Sequence, residues 1–378
     1  MKTLIDILKI IIFADYSFNY PKKNKIVLWD DNLKEFLEPY VKNQNFTVLH
    51  NRGKNYNFLI LLKTLLKKGP FFRGIDYFNT FILYVEPKIL ITFTDNYDIF
   101  YRIGNFKNIK KIFIQNGYRT ETKEDVFFNK KKLKIEKKDL KVDYMLTFNE
   151  KVGKKYQEFI NGQYKVIGSF RSNRFKIYKK KSIDILFISH WRAHLNYMVT
   201  PTFSFKKWLS LHSSILKNVH SFAKSENLNL VVYGKHKDEK EKKFFKNILG
   251  PEKNWTFLNN DRMRSYHYCD MSKLVISSVS TLGYEAISRS SKVAIFNTFN
   301  QDNSSKSKNF CWPYRTKKDG PFWTSNLSKS SCNKLLKKMF RLKMGSWEKI
   351  RAQNFDKVLK YDEDNKIFKE LLKKLSKN

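Results

Sequence analysis

The chain has 378 residues, too many for one ordinary domain, and its 42% of hydrophobic and 16% of aromatic residues suffice for a large core. Apolar runs recur along the whole chain, which excludes an intrinsically disordered protein. The net charge of +39 comes from 61 lysines and only 13 arginines, whereas nucleic-acid readers usually depend on arginine. The charge is compatible with an anionic membrane face, with an anionic substrate, or with lysines that simply fill permissive surface positions.

The cysteines and the N-terminus indicate where the protein resides. Cys269, Cys311 and Cys332 fit no metal-binding spacing and their odd number argues against a disulfide framework, so we expect a reducing cytoplasm. The apolar residues 1–13 are interrupted by charges and predict a helix that docks on the core or lies on a membrane, rather than a signal peptide. No stretch approaches 18 uninterrupted apolar residues, so we predict no transmembrane helix.

In the first half of the chain, short β-rich runs alternate with helical segments. The apolar runs are continuous rather than alternating with polar residues, as strands buried on both faces of a sheet require. This pattern predicts a parallel sheet flanked by helices, which is a Rossmann-like domain over residues 1–170. Strands are predicted over 25–29, 46–49, 89–93, 111–115, 143–148 and 164–167, and helices over 32–41, 58–68, 97–104 and 150–160.

The second half repeats the pattern after a polar, basic stretch. We interpret residues 171–182 as a linker, followed by a second Rossmann-like domain over 183–330 and a helical segment over 331–378. The aromatic-rich residues 310–323 predict a structured loop that either covers a ligand or packs against its own domain. Strands are predicted over 183–189, 228–233, 255–258, 273–277 and 292–296, and helices over 203–226, 238–249, 263–269 and 281–289.

The strongest local signal is LVISSVSTLGYEAISRSSKVAIFN over residues 274–297, which predicts a strand, a hydroxyl-rich turn, a helix and a second strand. Ligands of open parallel sheets bind beyond the carboxyl ends of the strands. The hydroxyls of Ser278, Ser280 and Thr281 could hold a phosphate there, together with the free N–H groups that open the helix. Glu285, about one helical turn later, could accept hydrogen bonds from ribose hydroxyls. The same residues also fit a simple helix cap supported by a glutamate.

This block resembles the donor-nucleotide segment of GT-B glycosyltransferases. The likeness is closest to bacterial surface carbohydrate (polysaccharide) biosynthesis proteins, and more distant to the Kdo-transferase and CDP-glycerol glycerophosphotransferase groups. The resemblance implies an α/β protein of two doubly wound Rossmann-like domains that face a central cleft, with the donor bound by the second domain. It also implies that the hydroxyl-rich turn contacts the donor phosphate and that the helix glutamate binds the ribose, roles that map onto Ser278, Ser280, Thr281 and Glu285.

Two segments of the first half resemble the same enzymes. IFIQNGYR (112–119) is similar to a strand-to-glycine loop in which related enzymes often have a histidine; Asn116 stands in its place, so a catalytic imidazole is absent there. YKVIGSFRSN (164–173) is similar to the segment that leaves the first domain. Surface or linker roles remain open for the arginines and for Asn173. The acceptor-side or cleft residues implied by these segments are Asn116, Gly117, Arg119, Arg171 and Asn173.

A third segment, VVYGKH (231–236), resembles a strand and loop that place a basic pair near the donor phosphates. Positioned cations can stabilise the charge of a departing nucleotide, and His236 is also a catalytic candidate. The predicted donor-binding residues of this part of the chain are Ser189, His190, Arg192, Lys235 and His236. Four further histidines form no pair at metal-ligand spacing and are interpreted as ordinary polar or partly buried residues: His194, His212, His220 and His267.

Transfer to a hydroxyl requires a base that removes the acceptor proton. Asp95 is the first candidate, because it follows the buried strand ILITFT; a helix cap is its alternative role. Asp30 and Asp31 come second and also suit a cap and a solvated charge. No Asp-x-Asp pattern stands convincingly at a strand end, so we expect neither a metal ion nor another cofactor.

These features predict a metal-independent GT-B glycosyltransferase of the cytoplasm. It would move a sugar from an NDP- or CMP-activated donor to a glycan or lipid-linked acceptor in bacterial surface polysaccharide biosynthesis. The basic surface would suit attachment to the anionic inner face of the cytoplasmic membrane. The alternatives are a polyol-phosphate transferase with a CDP-activated donor, a nucleic-acid-binding protein supported by the charge alone, and an inactive scaffold relative.

Overall fold

The computed structural model describes residues 14–31, 33–41, 45–51, 55–104, 106–119, 136–191, 205–278, 280–298, 310–314 and 316–377, with the backbone alone for 205–208 and 377. These residues form two compact units. The first comprises the described residues up to Asn116, those from 136 to Arg174 and those from Asn365 onward. The second comprises the described residues of 117–122 and all those between Phe175 and Asp364.

The strands are β1 (Asp15–Ser17), β2 (Ile26–Trp29), β3 (Phe46–Leu49), β4 (Asn55–Asn57), β5 (Ile89–Thr92), β6 (Lys110–Ile114), β7 (Lys141–Thr147), β8 (Asn161–Val166), β9 (Ile183–Ile188), β10 (Leu230–Tyr233), β11 (Trp255–Leu258), β12 (Ser272–Ser277), β13 (Val293–Phe296) and β14 (Trp323–Thr324). The helices are α1 (Lys34–Val41), α2 (Phe58–Lys68), α3 (Gly74–Val85), α4 (Asp98–Arg102), α5 (Glu150–Gln157), α6 (Phe170–Asn173), α7 (Phe205–Ser225), α8 (Glu239–Leu249), α9 (Ser265–Met271), α10 (Thr281–Ser288), α11 (Lys329–Arg341), α12 (Met344–Phe355) and α13 (Lys366–Lys377).

The first unit is built on a six-stranded parallel sheet with the order β3-β2-β5-β6-β7-β8. Strands β2 and β5 are adjacent and buried along their whole length, as their unbroken aliphatic runs predict. Trp29, at the end of β2, packs against Phe78 and Phe100 with ring centroids 4.7 and 5.6 Å away. Strands β1 and β4 form a separate two-stranded parallel pair.

The last helix of the chain belongs to the first unit, whereas residues 331–364 belong to the second. The Phe368 ring of α13 lies 5.8 Å from that of Tyr40 and 4.9 Å from that of Phe170. Asn365, just before the helix, donates to the Phe170 carbonyl at 2.9 Å and accepts from Asn173 at 3.1 Å. This division differs from the predicted helical segment over 331–378, because the apolar face of α13 is buried on the first unit.

The second unit contains a six-stranded parallel sheet with the order β11-β10-β9-β12-β13-β14. Numbered from β9, this order is 3-2-1-4-5-6, the arrangement of dinucleotide-binding Rossmann domains. The chain runs outward from β9 in one direction and then resumes at β12 on its other side. The topological switch point therefore lies between β9 and β12. The predicted α/β class with two doubly wound sheets is confirmed.

A buried ion pair anchors the start of the second unit. Arg289, just after α10, pairs with Asp270 at 2.5 Å, and their side chains are 0% and 1% exposed. The guanidinium also donates to the carbonyls of Phe175 and Lys176 at 2.8 and 3.0 Å. The predicted linker over 171–182 is thus divided, since its first residues form α6 of the first unit and residues from 175 onward belong to the second. A buried guanidinium needs acceptors for all of its N–H groups, and the carbonyls of residues 175 and 176 supply two of them.

Two features of the fold were missed by the sequence patterns. Helix α3 was not predicted, because its aromatic and β-branched residues favour strands; its first turn is supported by Asp76, which accepts from the Arg73 amide at 2.9 Å. The short strands β1, β4 and β14 contain two or three residues each, too few for periodicity to reveal. Within the described ranges, no helix combines the length and the apolar content needed to cross a bilayer.

Replacing Asp270 by asparagine should leave the Arg289 guanidinium buried without a counter-charge. We expect the free energy of unfolding of the second unit to fall by ~3–5 kcal/mol, measured by urea denaturation. Glu226→Gln is the matched control, because Glu226 pairs with Arg341 at 3.4 Å with 27% and 69% side-chain exposure; its effect should stay below ~1 kcal/mol. Equal effects of the two substitutions would contradict the anchoring role.

Candidate functional site

Five of the predicted donor-binding residues meet at the carboxyl edge of the second sheet. Ser189 and His190 follow β9, Lys235 and His236 follow β10, and Ser278 follows β12. Strands β10 and β12 are the two neighbours of β9, so the three strand ends lie side by side. This edge includes the topological switch point, where ligands of open α/β sheets bind. Arg192, predicted for the same site, lies outside the described residues.

A buried carboxylate connects the end of β9 with the loop after β10 at this edge. Glu241 of α8 is 0% exposed. It accepts hydrogen bonds from the Ser189 hydroxyl, from the Lys235 amide at 2.9 Å and from the His236 amide at 2.9 Å. The Ser189 hydroxyl in turn accepts from the Trp191 amide at 3.1 Å. Glu241 therefore fixes the loop after β10 relative to the end of β9.

Sequence reasoning did not find Glu241, although a signal was present. Asp238 caps α8 by accepting from the Lys240 amide at 2.8 Å, and Glu241 stands three residues after it. This spacing is that of a capping box, in which the third helical residue bonds back to the cap. Here the carboxylate reaches past the cap to two earlier amides, so the pattern supports the loop rather than only the helix.

Ser278 contacts a histidine from a distant helix. Its hydroxyl lies 3.1 Å from Nδ1 of His212 in α7, and the His212 ring stacks on that of His190 at 4.6 Å. The three side chains are buried, with 4%, 5% and 8% exposure for Ser278, His212 and His190. His212 was interpreted from sequence as an ordinary polar or partly buried residue. Its helical spacing to the buried Leu216 and Val219 is the signal that would have placed it on the inner face of α7.

His212 is neutral at physiological pH. Burial, together with the nearby positive charge of Lys235, lowers the pKa of its imidazole from 6.5 to about 3. The hydrogen bond between the ring and the Ser278 hydroxyl therefore joins two uncharged groups, and the ring adds no positive charge to the site. Positive charge at this edge comes instead from the half-buried Lys235 and the exposed Lys237.

The predicted hydroxyl-rich turn opens helix α10. Ser280 is the N-cap and accepts from the Leu282 amide at 3.3 Å, as the capping alternative predicted. Thr281 accepts from the Tyr118 amide at 3.0 Å. Gly283 packs so closely against Ser277 that a Cβ atom at this position would overlap the serine side chain. The first turn of α10 can approach the end of β12 only because residue 283 lacks a side chain.

Glu285 lies in the interior of the second unit. It is only 1% exposed, so a ribose would have to displace neighbouring groups to reach its carboxylate. After burial and the charge of Asp270, the negative charge of Glu285 helps to raise the pKa of the Cys269 thiol. The carboxylate therefore acts on the interior next to α9.

The loop after β6 belongs to the second unit from Gly117 onward, whereas Asn116 belongs to the first. The Tyr118 ring stacks on Tyr284 of α10 at 4.1 Å, and its hydroxyl donates to the Trp312 carbonyl at 2.6 Å. Burial raises the pKa of both phenols, so they are neutral. The predicted acceptor residues Gly117 and Arg119 thus flank a tyrosine that is fixed to the start of the site helix. Asn116, Gly117 and Arg119 are all partly exposed.

The aromatic-rich loop packs against its own unit. Phe310 is 3% exposed, and its ring lies 5.3 Å from that of Tyr284, 5.0 Å from that of Trp323 and 6.2 Å from that of Phe355. Of the two alternatives for the described part of 310–323, the structure favours packing. The loop supports α10 from the side of Tyr284.

Asp95, the first candidate for the base, lies in the interior of the first unit. Asp95 is 0% exposed and accepts from the Tyr156 hydroxyl at 2.5 Å, while its carbonyl accepts from Tyr101 at 2.7 Å. Tyr97, not Asp95, is the N-cap of α4. This burial favours a structural role for Asp95 over the predicted role of base, because an acceptor hydroxyl could not reach it.

Asn173 and Arg171 lie on α6. Asn173 is 1% exposed and donates to the Ile167 carbonyl at 2.7 Å, which favours a structural role over acceptor binding. Arg171 is partly exposed. Asp30 is buried with a φ of 87°, and Asp31 lies 3.9 Å from Nδ1 of His50. In the part of the chain that the structure describes, no cluster of three histidine, cysteine or acidic side chains has the geometry of a metal site.

Glu241→Gln should loosen the loop after β10, because an amide cannot accept all the hydrogen bonds that the carboxylate accepts. We expect a loss of ~1–3 kcal/mol in the free energy of unfolding and faster hydrogen exchange at the amides of Lys235 and His236, measured by mass spectrometry. Glu239→Gln, at an exposed position of the same helix, should change neither quantity. Unchanged exchange in Glu241→Gln would contradict the role of this carboxylate.

The His212 ring should remain neutral in the folded protein at pH 5, which nitrogen chemical shifts of the ring would report. Since its folded pKa of about 3 lies below 6.5, the unfolded state takes up the proton first as the pH falls. The stability that neutral His212 contributes is complete above pH 6.5 and is lost towards pH 3, with a slope of up to ~1.4 kcal/mol per pH unit. His212→Gln should remove that slope. The urea-unfolded protein is the control, and a ring already protonated at pH 5 in the folded state would disprove the assignment.

Solved structures of low sequence identity share the fold. A Listeria monocytogenes protein described as a UDP-N-acetylglucosamine 2-epimerase aligns with a TM-score of 0.57 and 12% identity, covering 94% of this chain and 98% of its own. The Neisseria meningitidis UDP-GlcNAc 2-epimerase, solved with UDP-GlcNAc, aligns with a TM-score of 0.53 and 12% identity, covering 92% of this chain and 99% of its own. A variant of the wall teichoic acid polymerase TagF aligns with a TM-score of 0.56 and 14% identity, covering 100% of this chain and 96% of its own. These proteins have the GT-B fold, and so does this chain.

The comparison with curated protein sequences found no match. A family profile, described as that of an O-antigen biosynthesis protein, matches residues 112–376. That range is well over half of the chain, and it contains the loop after β6, the hydroxyl-rich turn and the whole second sheet. The chain therefore belongs to this family of O-antigen biosynthesis proteins.

Proposed function

We propose that this protein is a glycosyltransferase that moves a sugar from a nucleotide-activated donor to a glycan or lipid-linked acceptor in bacterial surface polysaccharide biosynthesis. Membership of an O-antigen biosynthesis family supports the process. The GT-B fold is compatible with a nucleotide-sugar donor, since one protein of that fold was solved with UDP-GlcNAc. The donor would be an NDP- or CMP-sugar.

The observation that carries the proposal is the place of the hydroxyl-rich turn. It follows β12 at the switch point of a 3-2-1-4-5-6 sheet, and it opens helix α10 through the Ser280 cap. A helix N-terminus presents N–H groups to an anion, and this position is where such sheets bind nucleotides. We place the donor phosphates against Ser278, Ser280 and Thr281.

The cations beside the turn would stabilise the departing nucleotide. Lys235 follows β10 at the same edge of the sheet as Ser278. Its charge adds to burial in lowering the pKa of the His212 ring, which contacts the Ser278 hydroxyl. His236 is exposed, and Glu241 fixes its amide. Preorganised positive charge of this kind acts on a leaving phosphate in place of a metal ion, and activity that persists in EDTA would support a metal-independent transfer.

An exposed imidazole is the group at this edge best suited to proton transfer. We propose His236 for that role, because its backbone is held by Glu241 while its ring remains accessible. Asp95 is not retained as the base, since it is buried against Tyr156.

Calorimetric titration of the protein with UDP, CDP and CMP tests the donor site. Ser278→Ala should weaken binding of the preferred nucleotide roughly tenfold, the effect of losing one hydrogen bond to a charged phosphate. Ser288→Ala is the matched control on α10. The Ser288 hydroxyl donates to the Glu285 carbonyl of the same helix at 2.8 Å and is not part of the hydroxyl-rich turn. Absence of binding to all three nucleotides, or equal affinity of Ser278→Ala and wild type, would contradict the site.

Glu285 is tested separately because of its burial. We propose that it contacts the ribose once the donor is bound, in which case Glu285→Gln should weaken nucleotide binding while the melting temperature changes little. A variant that melts earlier but binds as tightly as wild type would identify Glu285 as a purely structural residue. Mass spectrometry of the products would separate sugar transfer from the alternative transfer of a polyol phosphate.

A further inference from the structure

Helix α2 of the first unit turns most of its apolar side chains to solvent. Leu62, Leu65 and Leu66 are 42%, 39% and 80% exposed, whereas the buried positions are Ile60 and Thr64. A surface helix of a water-soluble domain ordinarily buries its apolar stripe and exposes polar residues. In α2 a threonine is buried while three leucines are exposed, which is the reverse of this pattern and suits contact with an apolar partner.

Neighbouring aromatic and aliphatic side chains extend the exposed face. Phe58, the first residue of α2, is 39% exposed and lies 5.3 Å from the ring of Phe18, which is 65% exposed. Phe71, three residues beyond α2, is 76% exposed, and Leu83 of the adjoining α3 is 50% exposed. Large exposed apolar side chains concentrated on one part of a surface are typical of interaction sites on proteins. The α2 face is defined by Phe18, Phe58, Leu62, Leu65, Leu66, Phe71 and Leu83.

Lysines interleave with the apolar residues of the α2 face. Lys63, Lys67 and Lys68 lie on the same helix and are exposed, and α2 contains no acidic residue. The Lys63 ammonium lies 5.3 Å from the Tyr84 ring, and that of Lys23 lies 5.2 Å from it. The apolar surface is therefore accompanied by positive charge and by aromatic rings.

We propose that the α2 face is a docking surface for an anionic lipid bilayer. Leucine and phenylalanine side chains enter the boundary between headgroups and acyl chains, where aromatic residues are favoured. Lysines beside them attract the anionic headgroups. A second copy of the chain fits less well, because a symmetric contact would set the same lysines against one another.

The inference stands apart from the proposed activity, since vesicle binding is measured without any nucleotide. The full chain is sedimented with vesicles of phosphatidylcholine and phosphatidylglycerol, and with vesicles of phosphatidylcholine alone. We expect binding to the mixed vesicles that weakens with added salt. The double substitution Leu62→Glu and Leu66→Glu should lower the partition coefficient by roughly tenfold or more. Replacing Lys63, Lys67 and Lys68 by glutamine should lower it by roughly fivefold per lysine.

Controls in the second unit separate the α2 face from general surface properties. Met344→Glu changes an apolar residue that is 44% exposed, and replacement of the exposed Lys334, Lys337 and Lys338 by glutamine removes the same charge from α11. Both controls should bind vesicles as wild type does, and all variants should keep the wild-type melting temperature. Failure of the wild type to bind mixed vesicles would overturn the proposal. Equal decreases of the partition coefficient in the control variants would also overturn it. So would light scattering that shows a dimer in the wild type and a monomer in the leucine variants.

Discussion

The carboxylate of Glu241 is the constraint on which the proposed donor site depends. It is fully buried, and it joins the end of β9 to the loop after β10 through one hydroxyl and two amides. A buried carboxylate is tolerated only when its acceptor capacity is satisfied, so the loop cannot move away without leaving a charge unpaired. Lys235 and His236 are thereby held beside the strand ends. Glu241 therefore positions the loop that contributes Lys235 and His236 to the proposed site.

Around this constraint, the hydroxyls at the switch point are already hydrogen-bonded within the protein. Ser278 contacts His212, Ser280 caps α10, and Thr281 accepts from Tyr118. Such contacts fix the side-chain rotamers before any ligand arrives, which lowers the ordering cost of binding. Because His212 is neutral, its contact with the Ser278 hydroxyl is a hydrogen bond between uncharged groups.

The lysines of the two units lie in different surroundings. In the second unit, Lys235 follows β10 at the edge of the proposed donor site, and its charge adds to burial in lowering the pKa of His212. In the first unit, Lys63, Lys67 and Lys68 share a helix with exposed leucines, an arrangement suited to a surface rather than to a single ligand. The net charge alone could not distinguish these two kinds of lysine, because it carries no information about the residues that surround each one.

The sequence by itself determined most of the local elements and the two-sheet α/β class. Apolar periodicity, and the glycines and hydroxyl residues at turns, act over a few neighbouring residues; helix α3 and the three shortest strands were among the exceptions. It also located the turn at 278–281, since a strand followed by a capped helix is a local pattern. Only the tertiary structure decided the partners. His212 and Ser278 are 66 positions apart, and Tyr118 and Thr281 are 163 apart. The burial of Asp95 and Glu285, and the return of α13 to the first unit, likewise follow from how distant segments pack, which no local pattern encodes.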